Sequence, residues 1–269
     1  MISQSVQETL RARYNPEGSL LRRQQERMLE ILAEVDRICR KHGLRYWLSS
    51  GTLLGAARHG GFIPWDDDLD LEMMRDDYER LMKILPGELP QTMALQTHVT
   101  DPNYFFFYAK VRDRRSVLSE GNEYDRMWKE KGIYIDIFPM EQQPIALHCL
   151  GEKTVGHMYK VWRTSTDDNV AIRRVRRIFR LNDRLVYPVL RFLCRLSGTA
   201  TYTYGMGIPY HTPRYVKDIF PLSTLPFEGV DYPVPHDWDR VLTIMYGDYN
   251  ALPREESIVS HCAGLEFIS

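Results

Sequence analysis

The sequence predicts an α/β (α+β) fold, a mixed sheet core followed by a mainly helical extension. An amphipathic helical stretch leads into a short apolar strand, a turn and brief helix lead into an acidic strand, and the second half returns to helical spacing. With 269 residues the chain can bury a sizeable core, and its 43% hydrophobic and 26% charged fractions are ordinary for a globular protein. A formal net charge of −1 gives no reason to expect a nucleic-acid partner.

The elements follow in order. Residues 1–20 are polar, contain Pro16 and Gly18, and read as a flexible arm. From Leu21 to His42, residues Met28, Ile31, Leu32, Val35, Ile38 and Cys39 form one apolar stripe at helical spacing, and Gly43 is the expected stop. Leu44–Leu48 reads as a short strand, Ser49–Thr52 as a turn into a brief helix over Leu53–Arg58, and His59–Gly61 as a loop. The acidic strand runs from about Asp68 to Met73. A helix over Asp76–Leu85 should end at Pro86-Gly87, with strands near Met93–Thr97, Phe105–Arg112 and Gly132–Phe138. Helices are expected over Ile145–Arg163 and Ile172–Leu196, the second capped from Asp167-Asp168-Asn169 and kinked by Pro188. The Pro- and Tyr-rich stretch 199–235 suits short strands and turns, and Asp237–Tyr246 a last helix. This order is that of a nucleotidyltransferase-like fold, with residues 21–140 as the catalytic core and 141–269 as the extension completing the same unit.

Cys39, Cys149, Cys194 and Cys262 are widely separated and read as reduced thiols. The first residues lack the apolar run of a signal peptide, and no stretch approaches the ~20 apolar residues of a spanning helix. The expected address is the cytoplasm.

The chemistry concentrates in Trp65-Asp66-Asp67-Asp68-Leu69-Asp70-Leu71. Strand alternation puts Asp66, Asp68 and Asp70 on one face, Leu69 and Leu71 in the core, and Asp67 on the other side in a structural role. Such carboxylates repel one another by roughly 1 kcal/mol in water and about 4 at an effective dielectric near 20. A divalent cation held for phosphate chemistry answers that repulsion. An EF-hand is excluded, because its sixth and twelfth positions are Leu71 and Asp77 instead of Gly and Glu. Asp136, a lone acid in the apolar stretch Gly132–Phe138, is the candidate third carboxylate. Upstream, Ser50-Gly51-Thr52 opens a helix, where free amides, the helix dipole and a small hydroxyl suit a phosphate. Lys110 and Arg112 alternate on one strand face and offer either neutralisation of a diphosphate or a plain basic face. The run Tyr104–Tyr108 reads chiefly as core packing, with aromatic walls for a quaternary ammonium as the functional reading. Arginines from Arg173 to Arg195 make a basic amphipathic helix, either solvated or in peripheral contact with an anionic membrane at its inner face.

The stretch Tyr46–Asp70, with Ser49-Ser50-Gly51-Thr52-Leu53-Leu54-Gly55-Ala56-Ala57-Arg58-His59-Gly60-Gly61 and Trp65-Asp66-Asp67-Asp68-Leu69-Asp70 at its heart, resembles the signature of the LicD family, whose core fukutin-related proteins share. Gly132–Pro139 resembles a second family block, and Tyr246-Gly247-Asp248-Tyr249 with Pro253 and His261 a third. The resemblance implies transfer of a phospho-substituent, phosphocholine first, from a CDP-linked donor to a sugar hydroxyl of a glycan or lipid-linked glycan. It implies Mg²⁺, with Mn²⁺ as an alternative, on Asp68, Asp70 and Asp136, with Asp66 supporting or ligating. It also brings Arg58 and His59 toward the donor phosphates. The zinc-binding cysteine cluster and membrane anchor of fukutin-related proteins are not evident, which favours the bacterial branch. The alternatives are a nucleotidyltransferase of the same fold acting on a small molecule and a catalytically silent binding subunit.

Overall fold

The structure, a computed structural model, describes residues 2–121, 125–165, 167–254, 258 and 264–268. His261 and Cys262 lie outside the described residues. The segment expected as a flexible arm carries helix α1 (Gln4–Tyr14), whose N-terminus is capped by the Ser3 hydroxyl. Pro16 and Gly18 sit in the turn after it and do not interrupt it. Tyr14 sets its ring edge-on to Trp65 at 5.3 Å, and Arg11 pairs with Glu228 at 2.9 Å, so this helix is tied to the body at both a ring and a charge.

Helix α2 (Leu20–His42) starts at Ser19, whose side chain accepts from the Arg22 amide, and stops at Gly43 in the left-handed region at φ 61°. Its predicted stripe is buried throughout, each such side chain stabilising the fold by roughly 1.5–3 kcal/mol. Strand β1 (Trp47–Leu48), helix α3 (Ser50–His59), strand β2 (Asp70–Met74) and helix α4 (Arg75–Glu88) follow. Helix α4 runs through Pro86 instead of stopping there, since one missing N–H in a last turn removes little. Strands β3 (Met93–Gln96), β4 (Ala109–Asp113), β5 (Ser116–Ser119) and β6 (Tyr134–Gln142) complete the first half.

The main sheet has the order β1-β2-β6-β4-β3, and only β2 and β6 run parallel among these neighbours. Strand β6 is central, and its sides are shared out by length. Residues 134–137 pair with β4, while 140–142 pair with β7 (Thr201–Tyr204), which in turn pairs with β8 (Arg214–Tyr215). The strand expected from Phe105 begins only at Ala109. The aromatic run before it needs a different wall for each ring, which strict alternation cannot offer. Tyr104 packs on Trp128, Phe105 on Trp162, Phe107 stacks on Phe179 at 4.3 Å, and Tyr108 meets Phe138. Core packing is therefore the role of this run.

The second half opens with helix α5 (Ile145–Arg163). The single helix expected over 172–196 is two, α6 (Asp168–Leu181) and α7 (Tyr187–Leu196), joined by a π-helical turn over Asn182–Val186. Asp167 caps α6 through the amides of Asn169 and Val170, a start four residues earlier than the apolar spacing indicates. Pro188 lacks the amide that would continue an α-helical ladder, and the turn before it widens, with Tyr187 donating back to Asn182. Short helix α8 (Val216–Ile219), hairpin β9 (Ser223–Phe227) and β10 (Val230–Val234), helix α9 (Trp238–Tyr246) and strand β11 (Gly264–Phe267) end the chain. Phe227, Tyr232, Val234, Val241 and Leu242 join the same core as the α2 stripe, so late residues close the cluster that early ones begin. Helices α5, α6 and α7 build a second cluster around Val155, Met158, Trp162, Val175 and Phe179. Among the described residues, no helix is long and apolar enough to cross a membrane.

Candidate active site

Parallel pairing of β2 with β6 sets Asp70 opposite Asp136. Leu69, Leu71, Ile135 and Ile137, the neighbours of these two acids, are wholly buried, so alternation turns both carboxyls to the other face of the sheet. The Asp136 amide donates to the Leu69 carbonyl at 2.8 Å, and the Asp70 amide to the Thr52 hydroxyl at 2.9 Å. Thr52 thus ties the first turn of α3 to the start of the acidic strand.

Asp66 and Asp68 reach the same place from a loop, because β2 begins at Asp70 and not at Asp68. Two buried glutamines of α2 hold that loop. Gln24 donates to the Asp67 carbonyl and Gln25 to the Asp66 carbonyl, each at 2.9 Å. The Asn15 amide in turn donates to the Gln25 side chain. Asp67 is buried and does not line the cavity, although one of its carboxylate oxygens lies within 4.8 Å of oxygens on Asp66 and Asp68.

Asp66, Asp68, Asp70 and Asp136 line a cavity of about 360 Å³ with Ser50, Gly51 and Thr52 at the start of α3. A Cβ at Gly51 would stand 2.7 Å from Asp66 Oδ2, so only glycine lets this carboxylate approach the helix start. Ser50 holds the left-handed region at φ 49°, the sort of backbone strain that clusters at ligand sites. Ser49 supplies no side-chain cap, leaving the first amides of α3 without one.

Burial, then Asp136, Asp68 and Asp66, hold the Asp70 carboxyl well above the usual carboxylate range. Burial also pushes Asp136 up, to about 6, against the opposing pull of Lys110. Four carboxylates converging where, among the described residues, Lys110 is the one ammonium make a hard, anionic oxygen set. That donor set fits Mg²⁺ or Mn²⁺ and would not suit a soft metal.

The remaining expected residues fall in two places. Lys110 is buried, with Nζ 2.9 and 3.2 Å from the two Asp136 oxygens and 3.2 Å from the centre of the Tyr134 ring. It is the counter-charge of Asp136. Arg112, on the same strand, is equally buried and bonds Gln96 and the Gly132 carbonyl, so neither makes an exposed basic face. Arg58 and His59 are not brought to the cavity. Arg58 donates to the carbonyls of Tyr249 and Ala251, fastening the segment after α9 onto α3. It also donates to His59 Nε2 at 2.9 Å. Burial and the Arg58 charge push His59 down to about 3.

The far wall is formed by Phe138, Tyr204, Tyr210, Thr212, Met245 and Tyr246, of which the sequence singled out only Phe138 and Tyr246, as members of the second and third family blocks and without a site role. Tyr204 and Tyr210 meet edge-on at 5.6 Å, and Phe138 packs on both. Tyr210 lines the cavity with the acids, and partial desolvation, then Asp136, Asp70 and Asp68, raise its hydroxyl above the usual tyrosine value. Glu152 on α5 lies 3.8 Å from His211, beside that wall. Behind the acids, Glu72 accepts from Trp47, Ser49 and Arg214, and Arg214 reaches the Tyr204 hydroxyl. Glu72 continues the alternation of Asp68 and Asp70 and was findable. Tyr204 and Arg214 arrive from far along the chain without a local signal.

Residues 43–162 match the family described as LicD/FKTN/FKRP, nucleotidyltransferase domain. The chain is 27% identical over 262 residues to the lipopolysaccharide cholinephosphotransferase LicD of Haemophilus influenzae, covering 90% of this chain and 95% of that protein. It is 63% identical over 35 residues to human ribitol 5-phosphate transferase FKRP, 13% of this chain and 7% of the other. A similar block, 44% identical over 59 residues and 22% of each chain, is shared with the uncharacterized protein RP689 of Rickettsia prowazekii.

Proposed function

With residues 43–162 carrying a nucleotidyltransferase domain of the LicD family as the premise, we propose that the chain transfers a substituted phosphate, phosphocholine in the first instance. The donor would be CDP-activated, and the acceptor a sugar hydroxyl of a cell-surface glycan or its lipid-linked precursor. The observation that carries this reading is the convergence of Asp66, Asp68, Asp70 and Asp136 on one cavity at the start of α3. Mg²⁺ or Mn²⁺ held by these carboxylates would neutralise the donor diphosphate and draw electrons from its phosphorus.

The chain's own groups account for the rest. The uncapped first amides of α3 and its dipole bind phosphate oxygens, and Gly51 keeps that approach open. Asp136, which lines the cavity, is the carboxylate that would take the proton of the acceptor hydroxyl. Lys110 keeps its carboxylate oriented and partly neutralised. The acceptor oxygen forms the new bond to the distal phosphorus as the bridging oxygen departs with its electron pair, releasing CMP. The aromatic lining of Phe138, Tyr204, Tyr210 and Tyr246 suits a quaternary ammonium, each cation–π contact stabilising by ~0.5–2 kcal/mol, which supports choline over an uncharged polyol.

The test is incubation with CDP-choline or CDP-ribitol, Mg²⁺ and glycan acceptors, followed by analysis of the released nucleotide. CMP with a phosphodiester-linked product is the expected outcome, lost in Asp68→Asn with the fold intact. Pyrophosphate from a nucleoside triphosphate would instead establish nucleotidyl transfer. Turnover that persists in Asp68→Asn would remove the metal reading.

A further inference from the structure

Helices α6 and α7 turn one side to their own core and leave another bare. Ala171, Val175, Phe179, Tyr187, Leu190 and Cys194 are buried. On the opposite side Leu181, Leu185, Val189, Phe192, Leu193 and Leu196 are 43–69% exposed. These six recur at helical spacing across the π-helical turn and form one continuous apolar stripe. Single exposed leucines are ordinary, but a contiguous stripe of this kind marks an interaction surface.

The charges around the stripe identify what covers it. Arg173, Arg174, Arg177 and Arg180 are exposed on the preceding turns, and Arg184 and Arg195 flank the stripe itself. Among the described residues, none of the six has a carboxylate partner. The same helices do fix arginines when they are needed structurally. Arg191 makes two bonds to Glu141, and Arg176 donates to Asn103.

We propose that this face docks on an anionic membrane surface. The apolar side chains would enter the headgroup–acyl boundary while the guanidinium groups meet lipid phosphates, a geometry that favours Arg through paired N–H donors. Clusters of four to eight basic residues are enough for attraction to anionic lipid, at about a fivefold gain in affinity for each. A second copy of the chain is the weaker occupant. A two-fold contact through this face would set its unpartnered arginines against their own equivalents.

Co-sedimentation of the full chain, without donor or acceptor, with vesicles of phosphatidylcholine alone or mixed with phosphatidylglycerol tests this. The expected result is binding that requires phosphatidylglycerol and falls steeply with salt. The double variant Arg177→Gln/Arg180→Gln should weaken binding about 25-fold, and Leu185→Ser/Phe192→Ser should abolish retention at moderate salt. All four positions are exposed, so the melting temperatures of both variants should match the parent. Equal recovery on phosphatidylcholine alone, or indifference to both variants, overturns the proposal. So does a concentration-dependent dimer that Leu185→Ser/Phe192→Ser dissolves, because it assigns the face to a second copy. No substrate is present, so either outcome leaves the phosphotransfer reading where it stood.

Discussion

Glu72 on β2 and Arg214 on β8 form a 2.9 Å ion pair in which each side chain is only 1% exposed. The pair joins the acidic strand to the aromatic wall, since Arg214 also donates to the Tyr204 hydroxyl at 3.3 Å. Arg214→Met would leave Glu72 buried with only neutral donors, Trp47 and Ser49. Breaking one side of a buried pair costs about 3–5 kcal/mol. Urea denaturation should show a loss of that order. Any folded fraction should show weakened turnover of roughly 10–100-fold, through the displaced Tyr204. The paired change Glu72→Gln/Arg214→Met should recover part of the stability, and equal stability of the single and double variants would refute the coupling.

Gly51 tests the cradle. A methyl group there would stand 2.7 Å from Asp66 Oδ2, so Gly51→Ala must move a flexible carboxylate and leave the backbone in place. The expected outcome is a nearly unchanged melting temperature with Mg²⁺ affinity lowered roughly 10–100-fold, read by isothermal calorimetry. A variant that binds Mg²⁺ like the parent would place Asp66 outside the ligand set.

How far these parts could be read in advance differs residue by residue. Periodicity located the α2 stripe and Gly43 because both are local, and alternation brought Asp70 and Asp136 to one face once a parallel register was supplied. The register itself is tertiary. The family resemblance pointed Arg58 at the donor phosphates, yet it bonds the Tyr249 and Ala251 carbonyls, a contact with no trace in nearby sequence. The same holds for Gln24 and Gln25, which interrupt nothing in the helical pattern and yet hold the acidic loop. The split of the 172–196 helix was half visible, since Pro188 announced a break whose form, a π-helical turn, depends on packing.

His59 gives the pH dependence a sign. Its folded value of about 3 lies below the model-peptide value of about 6.5 for histidine, so the unfolded chain binds the extra proton first as pH falls. The stability that neutral His59 permits is therefore present above pH ~6.5 and lost progressively toward pH ~3. Thermal melts across that window should drop less steeply for His59→Gln than for the parent. Parallel curves would mean that His59 titrates normally in the folded protein.

Asp70 separates stability from activity. Its carboxyl is held well above the usual range, first by burial and then by Asp136, Asp68 and Asp66, so ionising it near neutral pH works against the fold. A group shifted in this direction stabilises at low pH, and that contribution disappears as pH rises toward the folded value. Asp70→Asn removes the repulsion while keeping the size of the side chain. Measured in chelator at pH 7, its melting temperature should exceed the parent's. Added Mg²⁺ should then reverse the order, raising the parent and leaving the variant unmoved, because a cation that binds only the folded state stabilises by mass action. Turnover in Asp70→Asn should fall to background. A variant less stable than the parent in chelator would mean that Asp70 is held by attractive partners, and the acid cluster would then need no cation to exist.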